Sequence, residues 1–322
     1  MRIGAHVSAS GGLVRAVERA RAIGAECLQI FVGAPQRWAS ASYTDAEVEA
    51  FRVASGGLHP IFIHASYLVN LASPDVANRE RSVQSLQASL RWARRIGARG
   101  VITHLGSAKG APLEEAETLV VEQLHRVLVG AGLATASDGP DGAAPSATGR
   151  AEPLLILETS AGMGHIIGAR PAQLGRILRG LGAPPSVAVC VDTAHVFAAG
   201  YDVRHRAGID ALLQEVDAEI GLDRLVVVHA NDSKVPLGKG VDRHENIGRG
   251  HIGESGFEAL LTHPMLQDLP FVLEVPGYGG EGPDAPNILI MRRLAGLPIP
   301  PDLERAAAAA IAATADDATH PA

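Results

Sequence analysis

Residues 187–195 read VAVCVDTAH. Five apolar residues follow one another without the polar alternation of a strand that has one wet face. Such a run suits a strand buried on both faces, as in a parallel sheet. It breaks off at Asp192, with His195 three residues further on. An ionised carboxylate at the end of a buried strand costs free energy unless something binds or pairs with it.

The pattern recurs along the chain: RIGA (2–5), CLQIF (27–31), IFIH (61–64), VITH (101–104), LLILE (154–158), VAVCVD (187–192), LVVVH (225–229) and FVLEV (271–275). Between these eight runs lie segments with helical spacing, such as LVRAVERARAIGA and RSVQSLQASLRWARRIGA. Alternating strands and helices predict an α/β fold with parallel strands, and eight units close a (β/α)8 TIM barrel. A doubly wound open sheet is the alternative, but its G-x-G-x-x-G after the first strand is absent. The barrel is expected to span residues 1–300, with 134–152 (ATASDGPDGAAPSATGRAE) as a flexible insertion remote from chemistry. The alanine-rich tail, 301–322, is expected to extend a last helix and then fray into partial disorder.

With 47% apolar and 20% charged residues, the 322-residue chain has the balance of a globular protein. No apolar run approaches the roughly 18–20 residues of a membrane span, and MRIGAHVSASGG lacks the build of a signal peptide. A cytoplasmic protein without membrane contact is expected. Cys27 and Cys190 sit inside apolar runs and read as reduced core thiols. The formal charge of −7 weighs against sequence-blind affinity for polyanions, although bound cations can reverse a local field.

Six successive runs end in, or carry near their end, a group able to bind a metal: His64, His104, Glu158, Asp192, His229 and Glu274. In a (β/α)8 barrel the C-terminal strand ends converge on one face, where active sites sit. Two pairs enlarge the set. Asp192 and His195 come together if a helical turn follows the strand, and Asp242 and His244 share a face if their segment is extended. Carboxylates mixed with imidazoles and no thiolate suit Zn2+, Mn2+ or Fe2+. Nine candidates exceed the needs of one ion, so a cluster of two or three metals bridged by carboxylates is the economical reading. Each residue alone is more often a hydrogen-bonded histidine, a helix cap or half of an ion pair. Their joint placement at strand ends is what points to a metal centre. By contrast His59, His125, His205, His263 and His320 fall in helical or terminal stretches without partners. His6 is expected to line the pocket without binding metal, and His251 is left open.

With these motifs in place, the chain resembles the endonuclease IV family of apurinic/apyrimidinic (AP) DNA repair endonucleases. The matching segments, over residues 1–280, are IGAHVSASGGL, IHASYLVNLASP, THLGS, LETSAGMG, VCVDTAHVFAAGYD, VHANDSK, GVDRHENIGRGHIG and LEVPG. The resemblance implies a TIM barrel with three zinc ions, Mn2+ or Fe2+ substituting at one or more sites. His64 and His104 would hold the first, bridged by Glu158 to the second, which Asp192, His229 and Glu274 complete. His195, Asp242 and His244 would hold the third. It further implies hydrolysis of the DNA phosphodiester 5′ to an abasic site by metal-activated water, leaving 3′-OH and 5′-deoxyribose phosphate, with trimming of 3′-blocked ends as an added activity. Glu158 would orient or deprotonate the water.

The implied partner is duplex DNA containing abasic sites; no obligate protein partner is evident, and a monomer is expected. Tyr67 and Leu68 are the counterparts of side chains that the family inserts into DNA. The family's third wedge, an Arg two positions before Trp, is here Gln36, with Arg37 next to Trp38, so either could serve. Lys234, Lys239, Arg243 and Arg249 cluster after the seventh strand, where phosphate contacts are useful. Leu105 and Met163 replace the family's usual Pro and Gln. The main rival is a divalent-metal-dependent sugar isomerase or epimerase on the same barrel, which leaves Asp242 and His244 unexplained. A DNA-binding scaffold with a purely structural metal is a further rival.

Overall fold

The computed structural model describes residues 1–39, 41–133 and 151–319. Of the expected insertion at 134–152, only Ala151 and Glu152 fall within the described residues, and His320 lies outside them. In chain order the strands are β1 (Arg2–His6), β2 (Leu28–Phe31), β3 (Ile61–His64), β4 (Gly100–Thr103), β5 (Leu154–Glu158), β6 (Val187–Asp192), β7 (Leu225–His229), β8 (Asp232–Ser233), β9 (His244–Glu245) and β10 (Pro270–Leu273). Strands β1 to β7 and β10 form one closed parallel barrel, in which β10 pairs with both β7 and β1. The β8 and β9 pair is a short antiparallel ribbon above it.

All eight apolar runs are therefore barrel strands, with bounds shifted by a residue or so. His104 and Glu274 stand one residue beyond β4 and β10. Helices α1 (Leu13–Ala22), α2 (Asp45–Ala54), α3 (Val76–Ile96), α4 (Leu113–Ala131), α5 (Pro171–Gly180), α6 (Thr193–Ala198), α7 (Arg206–Glu219), α8 (Gly253–Leu261) and α9 (Ala285–Leu294) surround the barrel. The alanine-rich tail forms α10 (Pro301–Thr319), which packs on α9. Local chemistry sets the helix starts: Thr44 and Glu47 form a reciprocal capping box on α2, and Asp75 caps α3.

Two apolar cores divide most strand residues by parity, as alternating side-chain direction requires, with an exception at the β6–β7 register shift, where the adjacent Val226 and Val227 both lie in the smaller core. The smaller one contains Cys27, Phe62, Ile102, Ile156, Cys190, Val227 and Val272, at most one or two per strand, and fills the barrel interior. Their strand neighbours, such as Ile61, Ile63, Val101, Leu155, Leu157, Val191 and Leu273, belong to the larger core beneath the helices. Gly4 belongs to the interior row as well: a Cβ there would collide with the Cys27 carbonyl, so close approach of β1 to β2 requires glycine. Two residues beyond the interior row stand His64, His104, Glu158, Asp192, His229 and Glu274. Strand periodicity thus aims all six at the mouth of the barrel. Among the described residues, no helix is long and apolar enough to cross a membrane.

Candidate metal centre

The side chains at the barrel mouth gather into three groups: His64, His104 and Glu158; Glu158, Asp192, His229 and Glu274; and Asp192, His195 and His244. Within each group the potential ligand atoms lie within 4.8 Å of one another. Glu158 belongs to the first two groups and Asp192 to the last two, so two fully buried carboxylates link all three. Asp242 joins the third group, with its oxygens 3.1 Å from His195 Nε2 and 3.1 Å from His244 Nε2. All nine residues picked from the sequence therefore converge on one face.

Each link has a local cause. Asp192 ends β6 and caps α6, its Oδ1 accepting the His195 amide at 2.9 Å. That cap leaves Oδ2 for the centre and places His195 one helical turn away. The β8 and β9 ribbon returns the loop after β7 to the mouth, carrying Asp242 and His244 with it. Buried Asp232 organises this return. Its carboxylate accepts backbone N–H groups from Ser233 at 2.8 Å, Gly248 at 3.0 Å, Gly250 at 3.0 Å and Ile252 at 2.9 Å. Gly250 is glycine because a Cβ would stand 2.5 Å from Asp232 Oδ1.

Most of the imidazoles have one nitrogen engaged by a neutral acceptor. His64 Nδ1 donates to the Ala65 carbonyl at 2.8 Å, and His195 Nδ1 donates to the Thr159 carbonyl at 2.8 Å. His229 turns the other way, with Nε2 donating to Gln29 Oε1 at 2.9 Å. Such bonds fix the tautomer and aim the remaining nitrogen lone pair at the carboxylates, the usual arrangement around a histidine-bound metal. His64 Nε2 stands 3.2 Å from Glu158 Oε2, His104 Nε2 3.5 Å from the same oxygen, and His229 Nδ1 3.0 Å from Glu158 Oε1 and 3.3 Å from Glu274 Oε2. Two ligands each about 2.0–2.1 Å from one tetrahedral ion lie about 3.3 Å apart, so this spacing fits a shared cation.

Two further observations support that fit. The buried Nε2 atoms of His195 and His244 have no hydrogen-bond partner among the described residues, although each lies 3.1 Å from an Asp242 oxygen and His244 Nε2 also lies 3.8 Å from Asp192 Oδ2. They point toward a common space rather than along bonds to each other. The electrostatics also call for positive charge between the carboxylates. Burial alone would raise the Glu158 carboxyl, yet His104, His229 and His195 hold it well below the usual carboxylate range. Burial works against the charged form of His244, but Asp242 and Asp192 prevail and raise it to about 9. His195 and His229 are likewise driven well above the usual histidine value against their burial. Divalent ions would replace these protons as the positive partners of the carboxylates.

The residues expected to meet DNA lie in loops around the same mouth. Gln36 and Arg37, in the loop after β2, are both exposed, and neither side chain is bound to another described residue. Tyr67 is 59% exposed, with its ring 5.7 Å from that of His64 and 5.2 Å from that of Phe31. Leu68 beside it is partly buried. The Tyr67 amide and the Ser66 hydroxyl both donate to the Pro35 carbonyl, which ties these two loops together. Lys234, Lys239, Arg243 and Arg249 are exposed in the loop after β7. Arg249 lies over the Tyr278 ring at 4.2 Å, while Arg243 donates to the Asp242 carbonyl. His251 is exposed and away from the three groups.

His6 lines the mouth, its Nδ1 3.2 Å from Glu274 Oε1. The expectation that His263 has no partner is corrected: it is buried, its Nε2 meets Asp210 Oδ1 at 2.9 Å, and its Nδ1 accepts the Met265 amide, a structural role. His205 also lies within 3.8 Å of Asp202. The sequence reading missed Gln29, Thr159, Asn231 and Asp232, which hold the nine in place. Asn231 donates to Asp192 Oδ2 at 2.7 Å and accepts the Glu274 amide at 2.8 Å. The parity of Cys27 and Gln29 with the interior row was a usable signal for Gln29; the others follow strand ends directly.

A family model described as a xylose isomerase-like TIM barrel matches residues 17–294. The chain is 40% identical over 296 residues to a protein of Methanoculleus marisnigri named probable endonuclease 4, covering 91% of this chain and 99% of that one. A probable endonuclease 4 of Halothermothrix orenii is 36% identical, with 91% and 100% covered. Among solved structures, endonuclease IV from Thermus thermophilus matches with a TM-score of 0.75 at 37% identity over 92% of this chain and 99% of that one. A D-psicose 3-epimerase from Clostridium cellulolyticum matches with a TM-score of 0.59 at 15% identity over 98% of this chain and 99% of that one, a likeness of fold alone. The centre at the barrel mouth and the full-length likeness agree: the chain belongs to the endonuclease 4 (endonuclease IV) family.

Proposed function

We propose that the protein is a zinc-dependent AP endonuclease of base excision repair, which hydrolyses the DNA phosphodiester 5′ to an abasic site. The observation that carries this reading is the linkage of three ligand groups through two shared carboxylates, Glu158 and Asp192. A sugar isomerase or epimerase on this barrel needs one or two ions and gives no role to the group around Asp242 and His244. A purely structural metal would gain nothing from a ligand as exposed as Asp242, whose side chain is 53% exposed.

His64, His104 and Glu158 would hold one ion, Glu158, Asp192, His229 and Glu274 a second, and His195, Asp242 and His244 a third. When bound, the ions supply a water acidic enough to react at neutral pH and neutralise the phosphate and the departing 3′ oxygen. Zinc suits the donor set, and Mn2+ or Fe2+ at one or more positions is compatible with it. Glu158, which belongs to two of the groups, would orient or deprotonate the attacking water. Tyr67 and Leu68, with Gln36 or Arg37 from the adjoining loop, would fill the gap left when the baseless sugar leaves the stack. Lys234, Arg243 and Arg249 would contact flanking phosphates. Three divalent ions bring the formal charge of −7 close to neutrality, consistent with a polyanionic substrate. The enzyme would act as a cytoplasmic monomer, its barrel occupying residues 1–300.

The test is incubation of zinc-loaded protein with a duplex carrying a single abasic analogue. The expected result is one nick on its 5′ side, leaving 3′-OH and 5′-deoxyribose phosphate. An intact strand with all zinc in place would overturn the proposal, and epimerisation of a ketose under the same conditions would favour the rival.

A further inference from the structure

Gln29 is the polar residue in the middle of β2, and its side chain is completely buried. A buried amide needs a reason, because it must satisfy one acceptor and two donor hydrogens away from water. Here all are used. Oε1 accepts from His229 Nε2 at 2.9 Å, while Nε2 donates to Glu274 Oε1 at 2.6 Å and meets His6 Nδ1 at 2.9 Å. The reversed amide would set Oε1 against the Glu274 carboxylate and offer N–H groups to His229 Nε2. That arrangement costs a repulsive contact and places the His229 proton on Nδ1, the atom that faces Glu158 at 3.0 Å. Only the first arrangement leaves Nδ1 with a free lone pair directed at the carboxylates.

We infer that Gln29 is a positioning residue of the centre: its amide fixes His229 in the Nε2–H tautomer with Nδ1 available as a ligand, and steers Glu274 toward the same ion. His229 thereby differs from His64 and His195, whose Nδ1 atoms are engaged by carbonyls and whose Nε2 atoms face the site. The group made of Glu158, Asp192, His229 and Glu274 alone depends on this amide. The other two groups share no residue that Gln29 touches. The inference rests on reading these four residues as ligands of one ion.

Two measurements on the full-length chain test it. Nitrogen NMR of the zinc-loaded wild type is expected to show His229 bound through Nδ1 and protonated at Nε2, with His64 and His195 bound through Nε2. Competition between the protein and a chromophoric zinc chelator is expected to show that Gln29→Met, which keeps the volume and loses the hydrogen bonds, weakens one zinc by about 10–100-fold and leaves two unchanged. Binding of His229 through Nε2, unchanged affinity for every zinc, or equal weakening of all of them would overturn the inference, the last by making Gln29 part of the general scaffold. Wild-type protein that holds no zinc at His229 would instead overturn the metal assignment on which the inference stands.

Discussion

Glu158 is the residue on which the centre turns. It is completely buried, shared by two ligand groups, and approached by His64, His104 and His229. Exchanging one oxygen for an amide in Glu158→Gln removes a charge and one shared ligand without changing shape. Single-turnover nicking is expected to fall by about a thousandfold, with duplex affinity kept within a few-fold. The histidines give a second expectation. In the metal-free protein His244 is raised to about 9 from an unfolded value of 6.5. Its contribution to stability is therefore complete below pH 6.5 and lost as pH rises through about 9. Thermal unfolding of metal-free protein should move to lower temperature across that window. Zinc needs the neutral ring, so zinc affinity should rise across it, with protons released on binding. A metal-free protein that gains stability from pH 6.5 to 9 would contradict this account of His244. The ligands at this scale were legible because repeated charges at buried strand ends need a common cause. Gln29 was open to reading only as an inward-facing position, from its parity with Cys27, and Asn231, just after β7, only as a neighbour of a strand end; what each amide faces depends on closure of the barrel.

Strands and loops have different legibility. The eight strands stood out because burial on both faces leaves continuous apolar runs, and their parity then aims the ligands. The segment from Asn231 to Gly253 gave Asp242, His244 and the basic cluster of Lys234, Lys239, Arg243 and Arg249, but not the residues that hold it in shape, since its path depends on contacts distant in sequence. Asp232 is the clearest instance: one carboxylate gathers amides from Ser233, Gly248, Gly250 and Ile252. Asp232→Ala leaves those donors unpaired at about 1–3 kcal/mol each where they stay buried. Hydrogen exchange at Gly250 and Ile252 should accelerate, and the zinc at His195, Asp242 and His244 should bind more weakly than the other two. Unchanged exchange at those amides would show that the loop holds its shape without the carboxylate. Loop structure treats the two wedge candidates alike: Gln36 and Arg37 are both exposed, and neither side chain is held by a described neighbour.

For the whole molecule, the barrel supplies a packed apolar interior below and a ring of charge above. The fold was readable from repetition, and the convergence of residues 210 positions apart, His64 and Glu274, follows from closure of the barrel. The nine candidate ligands carry four carboxylates among them, whose mutual repulsion is relieved by protons on the histidines or by divalent cations. Only the second state is expected to cut DNA. The most direct measurement removes all metal by chelation and returns zinc stepwise, following nicking of a duplex with one abasic analogue against zinc bound per chain. The expected result is loss of nicking on chelation and full recovery only as the third equivalent binds. Full nicking by the metal-free protein, or a plateau at a single equivalent, would contradict a catalytic centre of three linked metal sites.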